Sequence, residues 1–247
     1  MKYGNTNTII IIVANCDYMF HYKIVFKLFV SFIIIVMLMS FIKPDKKKKI
    51  IFFGDSITQL GIKPGGYIPQ LDTLLKKEGL TDYQLEGAGI SGNKVYDLYL
   101  RIDSDVIAKN PDIVFIYIGI NDIWHKVTHC TGTDPDKYEV FYKAIIKKLT
   151  DKNIKVIVCT PTVIGERNDY SNQQDGELNM YSNIIRNMAR KQSIPICDLR
   201  NAFEKYLTEN NSKNLEKGIL TLDRVHLNDK GNLLVAQQML QAIKEMK

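Results

Sequence analysis

The sequence predicts a three-layer α/β/α domain on a mainly parallel five-stranded sheet, and three observations carry that expectation. Short apolar runs recur at residues 50–53, 113–118 and 154–159, with weaker ones at 83–86 and 194–197. Their apolar character is continuous, not alternating, as befits strands covered on both faces. Longer helical segments lie between them, and turn residues such as Asn110-Pro111-Asp112 and Lys152-Asn153 mark the junctions. Strands alternating with helices imply right-handed crossovers, hence parallel strands with helices above and below.

Taken in order, the strand at 50–53 runs into Gly54-Asp55-Ser56-Ile57-Thr58 and a helix at about 67–78. The strand at 83–86 precedes Gly87-Ala88-Gly89-Ile90-Ser91-Gly92-Asn93 and a helix at about 95–109. The third strand ends in Gly119-Ile120-Asn121-Asp122, followed by a helix at 138–152. The fourth ends in Thr160-Pro161-Thr162 before a helix at 176–192. A last helix is expected at about 229–244, with Asn228 as N-cap.

The 247 residues carry 33 Lys+Arg against 27 Asp+Glu, a formal charge of +6. Residues 1–49 hold eight lysines and two acids, so residues 50–247 keep 25 of each sign and no net charge. A neutral body argues against a nucleic-acid partner, whose backbone is held mainly by basic groups that release counterions. Four cysteines are too few for a disulfide scaffold at this length.

Residues 1–45 are expected to form an N-terminal extension, and 46–247 the catalytic domain. From about 24 to 42 the extension is apolar all round apart from Lys27, reading as a hydrophobic helix ahead of the domain. Such a segment fits a signal peptide or an uncleaved membrane anchor better than a buried amphipathic helix. The expectation is an exported or membrane-anchored protein. Its orientation stays open, because Lys43 and Lys46–Lys49 beyond the apolar run outnumber the lysines before it.

In a sheet of this kind ligands bind outside the carboxyl ends of the strands. The polar residues fall there. A serine hydroxyl needs an adjacent base to become a nucleophile. Ser56 supplies the hydroxyl, His226 the base, and Asp223, three residues earlier, a carboxylate to orient the imidazole. The backbone N–H groups of Ser56 and Gly89 and the side-chain amide of Asn121 would form the oxyanion hole. Taken alone, Ser56 is an ordinary helix-cap serine; in company with the other four it reads as a nucleophile. Ser91 is the rival, but Gly89-Ile90-Ser91-Gly92-Asn93 lacks the final glycine of a nucleophile elbow.

These blocks resemble the SGNH, or GDSL-type, lipase and esterase family. Ser56 stands in a Gly-Asp-Ser block, Gly89 in the second block, Asn121 in a Gly-x-Asn-Asp block, and Asp223 and His226 in the closing Asp-x-x-His. The resemblance spans about residues 48–245 in the family's order. It implies a flavodoxin-like α/β/α fold and ester hydrolysis through an acyl-enzyme with no metal and no cofactor. The segment Gly119–His125 is most similar to bacterial acetylesterase-type members.

Trp124, His125, Glu166 and Arg167 are expected to border the substrate cleft, and Asp55, beside it, to orient the nucleophile loop through hydrogen bonds. His125 and His129 stand four apart and Cys130 follows, but no helix with further ligands is evident there, and no metal is expected. The expected substrate is a small acyl ester, an acetylated carbohydrate before all, with a lysophospholipid or short-chain lipid ester as the alternative. An acyl transferase differs only in the acceptor. A non-catalytic carbohydrate-binding module would have no use for all five chemical residues. Whether Cys159 and Cys197 pair is left open.

Overall fold

The computed structural model describes residue 23, residues 25–34, residue 37 and residues 47–246. The chain divides after Lys46. In the first part the described residues are helical and exposed. Among the described residues no helix is long and apolar enough to cross a membrane. The remainder of the expected apolar segment at 24–42 lies outside the described residues, as do residues 1–22.

The second part holds five strands, β1 (Lys48–Gly54), β2 (Tyr83–Gly89), β3 (Ile113–Tyr117), β4 (Lys155–Cys159) and β5 (Ile196–Cys197), in the order β2-β1-β3-β4-β5. Every pairing is parallel. All five residues of β3 are buried, as are Ile50–Phe53 in β1, because helices cover both faces. The edge strand β2 is only partly covered, which explains its weaker apolar signal.

Among the described residues eight helices accompany the strands: α1 (Ser56–Gly61), α2 (Tyr67–Lys77), α3 (Val95–Asp105), α4 (Ile120–Thr128), α5 (Pro135–Thr150), α6 (Asp175–Gln192), α7 (Leu199–Asn210) and α8 (Asp229–Glu245). Right-handed crossovers put α2 and α8 together on one face of the sheet, and α3, α5 and α6 side by side on the other. The chain therefore leaves β1 and β3 toward opposite faces. That divergence opens the crevice where ligands bind in open parallel sheets.

Some boundaries differ from expectation for local reasons. The helix expected at 138–152 begins three residues earlier, where Pro135 suits a first helical turn. The helix expected at 95–109 ends at Asp105, and a 3₁₀ turn at Ile107–Lys109 is closed by Asn110 in the left-handed region at φ 51°. Asn228 caps α8 by accepting the Gly231 N–H at 3.0 Å. Helices α1 and α4 occupy segments expected as loops; at six and nine residues they have too few turns for a periodic signal. Helix α7 adds to the expected elements, with Leu199, Phe203 and Leu207 at four-residue spacing burying one face.

Candidate active site

The carboxyl ends of the strands form one level row. Gly54 is in register with Gly89 on one side and Tyr117 on the other, Tyr117 with Cys159, and Cys159 with Cys197. Ser56 stands two residues past this row and Asn121 four, on the two strands that flank the crevice. The parallel register itself thus sets the heights of Ser56, Gly89 and Asn121.

Asp55 turns its buried carboxylate onto the start of α1, where it accepts the Ile57 N–H at 2.9 Å. At 2 % exposure it does not border the cleft and holds the Ser56 loop through this hydrogen bond, the orienting role expected of it. Burial pushes the Asp55 carboxyl up to about 7, and the nearby Asp122 carboxylate adds to the rise. Asp122, fully buried, accepts the Val95 N–H at 3.1 Å, and burial raises its carboxyl to about 6.

Ser56 is the first residue of α1, and its Oγ lies 3.0 Å from His226 Nε2. His226 Nδ1 is 2.7 Å from Asp223 Oδ2. The other oxygen, Asp223 Oδ1, accepts the backbone N–H groups of Val225 at 3.1 Å and His226 at 2.8 Å. Arg224, between the two functional residues, is held at φ 91°, a conformation rare for a side chain of this size and the one that folds Asp223 back onto His226. Burial pushes the Asp223 carboxyl up, but the His226 ring and then the two backbone N–H groups outweigh it and hold the carboxyl below its ordinary value.

Gly89 meets α1 edge-on. A Cβ there would lie 2.2 Å from the Gln59 nitrogen and 2.6 Å from the Asp55 carbonyl oxygen, so only glycine lets β2 approach the Ser56 helix this closely. The need for glycine arises from packing against that helix. Asn121 is buried at the start of α4 and donates one amide hydrogen to the Asn93 carbonyl at 3.0 Å, which leaves its second hydrogen unspent. A hydroxyl bonded to an imidazole, and that imidazole bonded to a carboxylate, form an arrangement able to transfer a proton as the oxygen attacks a carbonyl.

Glu166 departs from expectation. It is fully buried and does not face a cleft. Its carboxylate accepts the N–H groups of Ile219 and Leu220 at 2.7 Å and of Thr221 at 2.5 Å, gathering the segment that leads into Asp223. Gly165 donates to the Arg224 carbonyl at 2.9 Å, so the same short stretch grips the loop twice. The signal for this role is weak in sequence: a single acid following the buried pair Val163 and Ile164.

Arg167 pairs with Glu216, its Nη2 3.8 Å from Oε2. It borders a 340 Å³ cavity with Tyr170, Asn179, Arg200 and Glu204, whose walls include none of Ser56, Asp223 and His226. Trp124 packs partly against the core, its ring 6.1 Å from that of His125, and His125 comes close to Gly92 on the Gly89 loop. The His125 and His129 rings are 4.3 Å apart. Among the described residues no group of three or more His, Cys, Asp or Glu side chains could hold a metal ion. Cys159 and Cys197 are free, buried neighbours on β4 and β5.

Residues 52–234 match the model of the GDSL-like Lipase/Acylhydrolase family. An acetylxylan esterase of Geobacillus stearothermophilus is 31% identical over 218 residues, which cover 79% of this chain and 94% of that protein. The crystal structure of the acetyl xylan esterase AlAXEase superposes with a TM-score of 0.77 at 57% identity, covering 79% of this chain and 99% of that one. A catalytic mutant of Axe2, the acetylxylan esterase from Geobacillus stearothermophilus, gives a TM-score of 0.71 at 28% identity over 82% of this chain and 96% of that chain.

Proposed function

The chain belongs to the GDSL-like lipase/acylhydrolase family and is a carboxylic ester hydrolase, and from that premise we propose that it removes acetyl groups from carbohydrate through an acyl-enzyme on Ser56. The observation that carries this reading is the continuous chain Ser56 Oγ–His226 Nε2–Asp223 Oδ2, at 3.0 and 2.7 Å. In the first step His226 takes the Ser56 proton as Oγ adds to the ester carbonyl, and Asp223 stabilises the imidazolium. The oxyanion receives the N–H groups of Ser56 and Gly89 and the free amide hydrogen of Asn121. Collapse passes the proton from His226 to the departing sugar oxygen, leaving acetyl on Ser56. Water then repeats the sequence, with His226 as base, and releases acetate.

The acetylxylan esterases among the relatives support the acetyl-carbohydrate substrate. The purified protein should hydrolyse p-nitrophenyl acetate and release acetate from acetylated xylan. Ser56→Ala should lower kcat by at least about 10³-fold. An unchanged rate in that variant would remove Ser56 from the mechanism. A series from acetate to palmitate esters separates the substrate classes: a rate falling steeply beyond two to four carbons supports acetyl transfer to water, and a maximum at long chains moves the assignment to lipid esters. We propose further that the apolar segment at 24–42 directs the enzyme to or across a membrane, which cell fractionation and N-terminal sequencing of the mature protein test directly.

A further inference from the structure

Four hydrogen bonds converge on one guanidinium behind the oxyanion donors. Arg101, on the inner side of α3, has only 13% of its side chain exposed. One terminal nitrogen, Nη2, donates to the Gly54 carbonyl at 2.8 Å and to the Ala88 carbonyl at 3.1 Å. Its Nε donates to Asn93 Oδ1 at 2.7 Å, and its Nη1 to Asp105 Oδ2 at 2.8 Å. The guanidinium carbon sits 4.5 Å over the Phe53 ring, which fixes the plane of the fork.

The positions of these acceptors are what matters. The Ala88 carbonyl and the Gly89 N–H belong to the same peptide unit. A carbonyl that accepts from a cation withdraws charge along the amide and makes the N–H at its far end a stronger donor. Gly54 ends β1 two residues before Ser56, so the same nitrogen ties the Ser56 strand to the Gly89 strand at their rim. Asn93 is gripped through its side chain by Arg101 while its backbone carbonyl holds the Asn121 amide at 3.0 Å. Arg101 therefore reaches the peptide of Gly89 in one hydrogen bond and Asn121 in two.

We propose that Arg101 is a positioning residue of the oxyanion hole. Its fork sets the spacing of Gly89 and Asn121 relative to Ser56, and its charge strengthens their N–H groups as negative charge develops on the substrate oxygen. No other side chain type serves both ends: lysine keeps the charge but has no planar fork to hold two carbonyls and an amide oxygen in one plane. The inference rests on the Ser56 mechanism proposed above.

The test compares Arg101→Met, which keeps an apolar stem over Phe53, with Arg101→Lys, each alone and in an Asn121→Ala background. Steady-state kinetics on p-nitrophenyl acetate are read beside circular dichroism. Arg101→Met should lower kcat roughly 10- to 100-fold with KM within about threefold, since a donor geometry felt mainly in the transition state is lost. Arg101→Lys should recover part of that loss. In the Asn121→Ala background Arg101→Met should cost less than it does alone, because the share acting through Asn121 is already lost while the share acting through Gly89 remains. A kcat within threefold of wild type, or losses that multiply in full in the double variant, overturns the proposal. If Arg101→Met does not fold, Arg101→Gln takes its place under the same two criteria. Failure of the underlying mechanism is distinguishable, because it appears as an active Ser56→Ala enzyme.

Discussion

The two halves of the site are built by different means. The Ser56 half hangs from the sheet: Ser56, Asp55 and Asn121 are nearly or fully buried, and strand register sets their heights. The His226 half is a loop on the surface, where the Asp223 side chain is 51% exposed and the His226 side chain 23%. A loop that brings two side chains to a fixed point without a sheet beneath it needs another anchor. The buried Glu166 carboxylate, accepting three successive N–H groups just ahead of Asp223, is that anchor. Precision comes from main-chain pairing in one half and from a single buried side chain in the other.

The sharpest break is at His226. Replacing it with alanine should reduce kcat on p-nitrophenyl acetate by about 10⁴-fold, close to the effect of Ser56→Ala, because the members of such a set act as a unit. Asp223→Ala should be milder, roughly 10²- to 10³-fold. The exposed position leaves water able to reach His226 Nδ1 and support the imidazolium. An Asp223→Ala enzyme as inactive as His226→Ala shows that the exposed carboxylate does more than orient the ring.

Glu166→Gln addresses the loop half alone. The amide nitrogen it introduces must face at least one of the Ile219, Leu220 and Thr221 N–H groups, and a buried donor left unmatched costs about 1–3 kcal/mol. The variant should melt several degrees lower and lose roughly tenfold in kcat/KM as the Asp223–His226 turn loosens. Thermal denaturation and steady-state kinetics read the two effects separately. Unchanged kinetics in a destabilised protein confines Glu166 to the fold.

The halves also differ in how much the sequence discloses. Strand runs, the parallel arrangement, and the placement of Ser56, Asn121, Asp223 and His226 on the rim follow from apolar periodicity and from the rule that function follows strands. What they do not reveal is which way a polar side chain turns. Glu166 reads as a cleft residue because acids near a rim usually face solvent, yet it is inward and bonded to backbone N–H groups. Backbone partners leave no mark on composition. At Gly89 the clash of a Cβ with Gln59 and Asp55 shows that the glycine makes room for α1. Arg101 gives no signal, being one more charge in an amphipathic helix.

The smallest expected effect lies on the buried side and is visible only against pH. In the folded protein the Asp55 carboxyl is raised from 3.8 to about 7, chiefly by burial and further by Asp122. Between those values the folded state keeps a proton that the unfolded chain has released. The stability Asp55 contributes is therefore complete below about 4 and is lost as pH rises through about 7. The side-chain amide of an Asp55→Asn variant has no proton to lose, and its oxygen can still accept the Ile57 N–H. The difference in Tm, variant minus wild type, should thus grow from pH 5 to pH 8 by several degrees, at about 2–4 °C for each kcal/mol in a domain of this size. In the loop half the shift runs the other way. Asp223 is held below its ordinary value and stays ionised across that range, so its own titration adds no pH dependence to the Tm difference between Asp223→Asn and wild type. Parallel Tm curves for Asp55→Asn and wild type would mean that Asp55 is ionised in the folded state throughout, and that the Ser56 helix is capped by a charge.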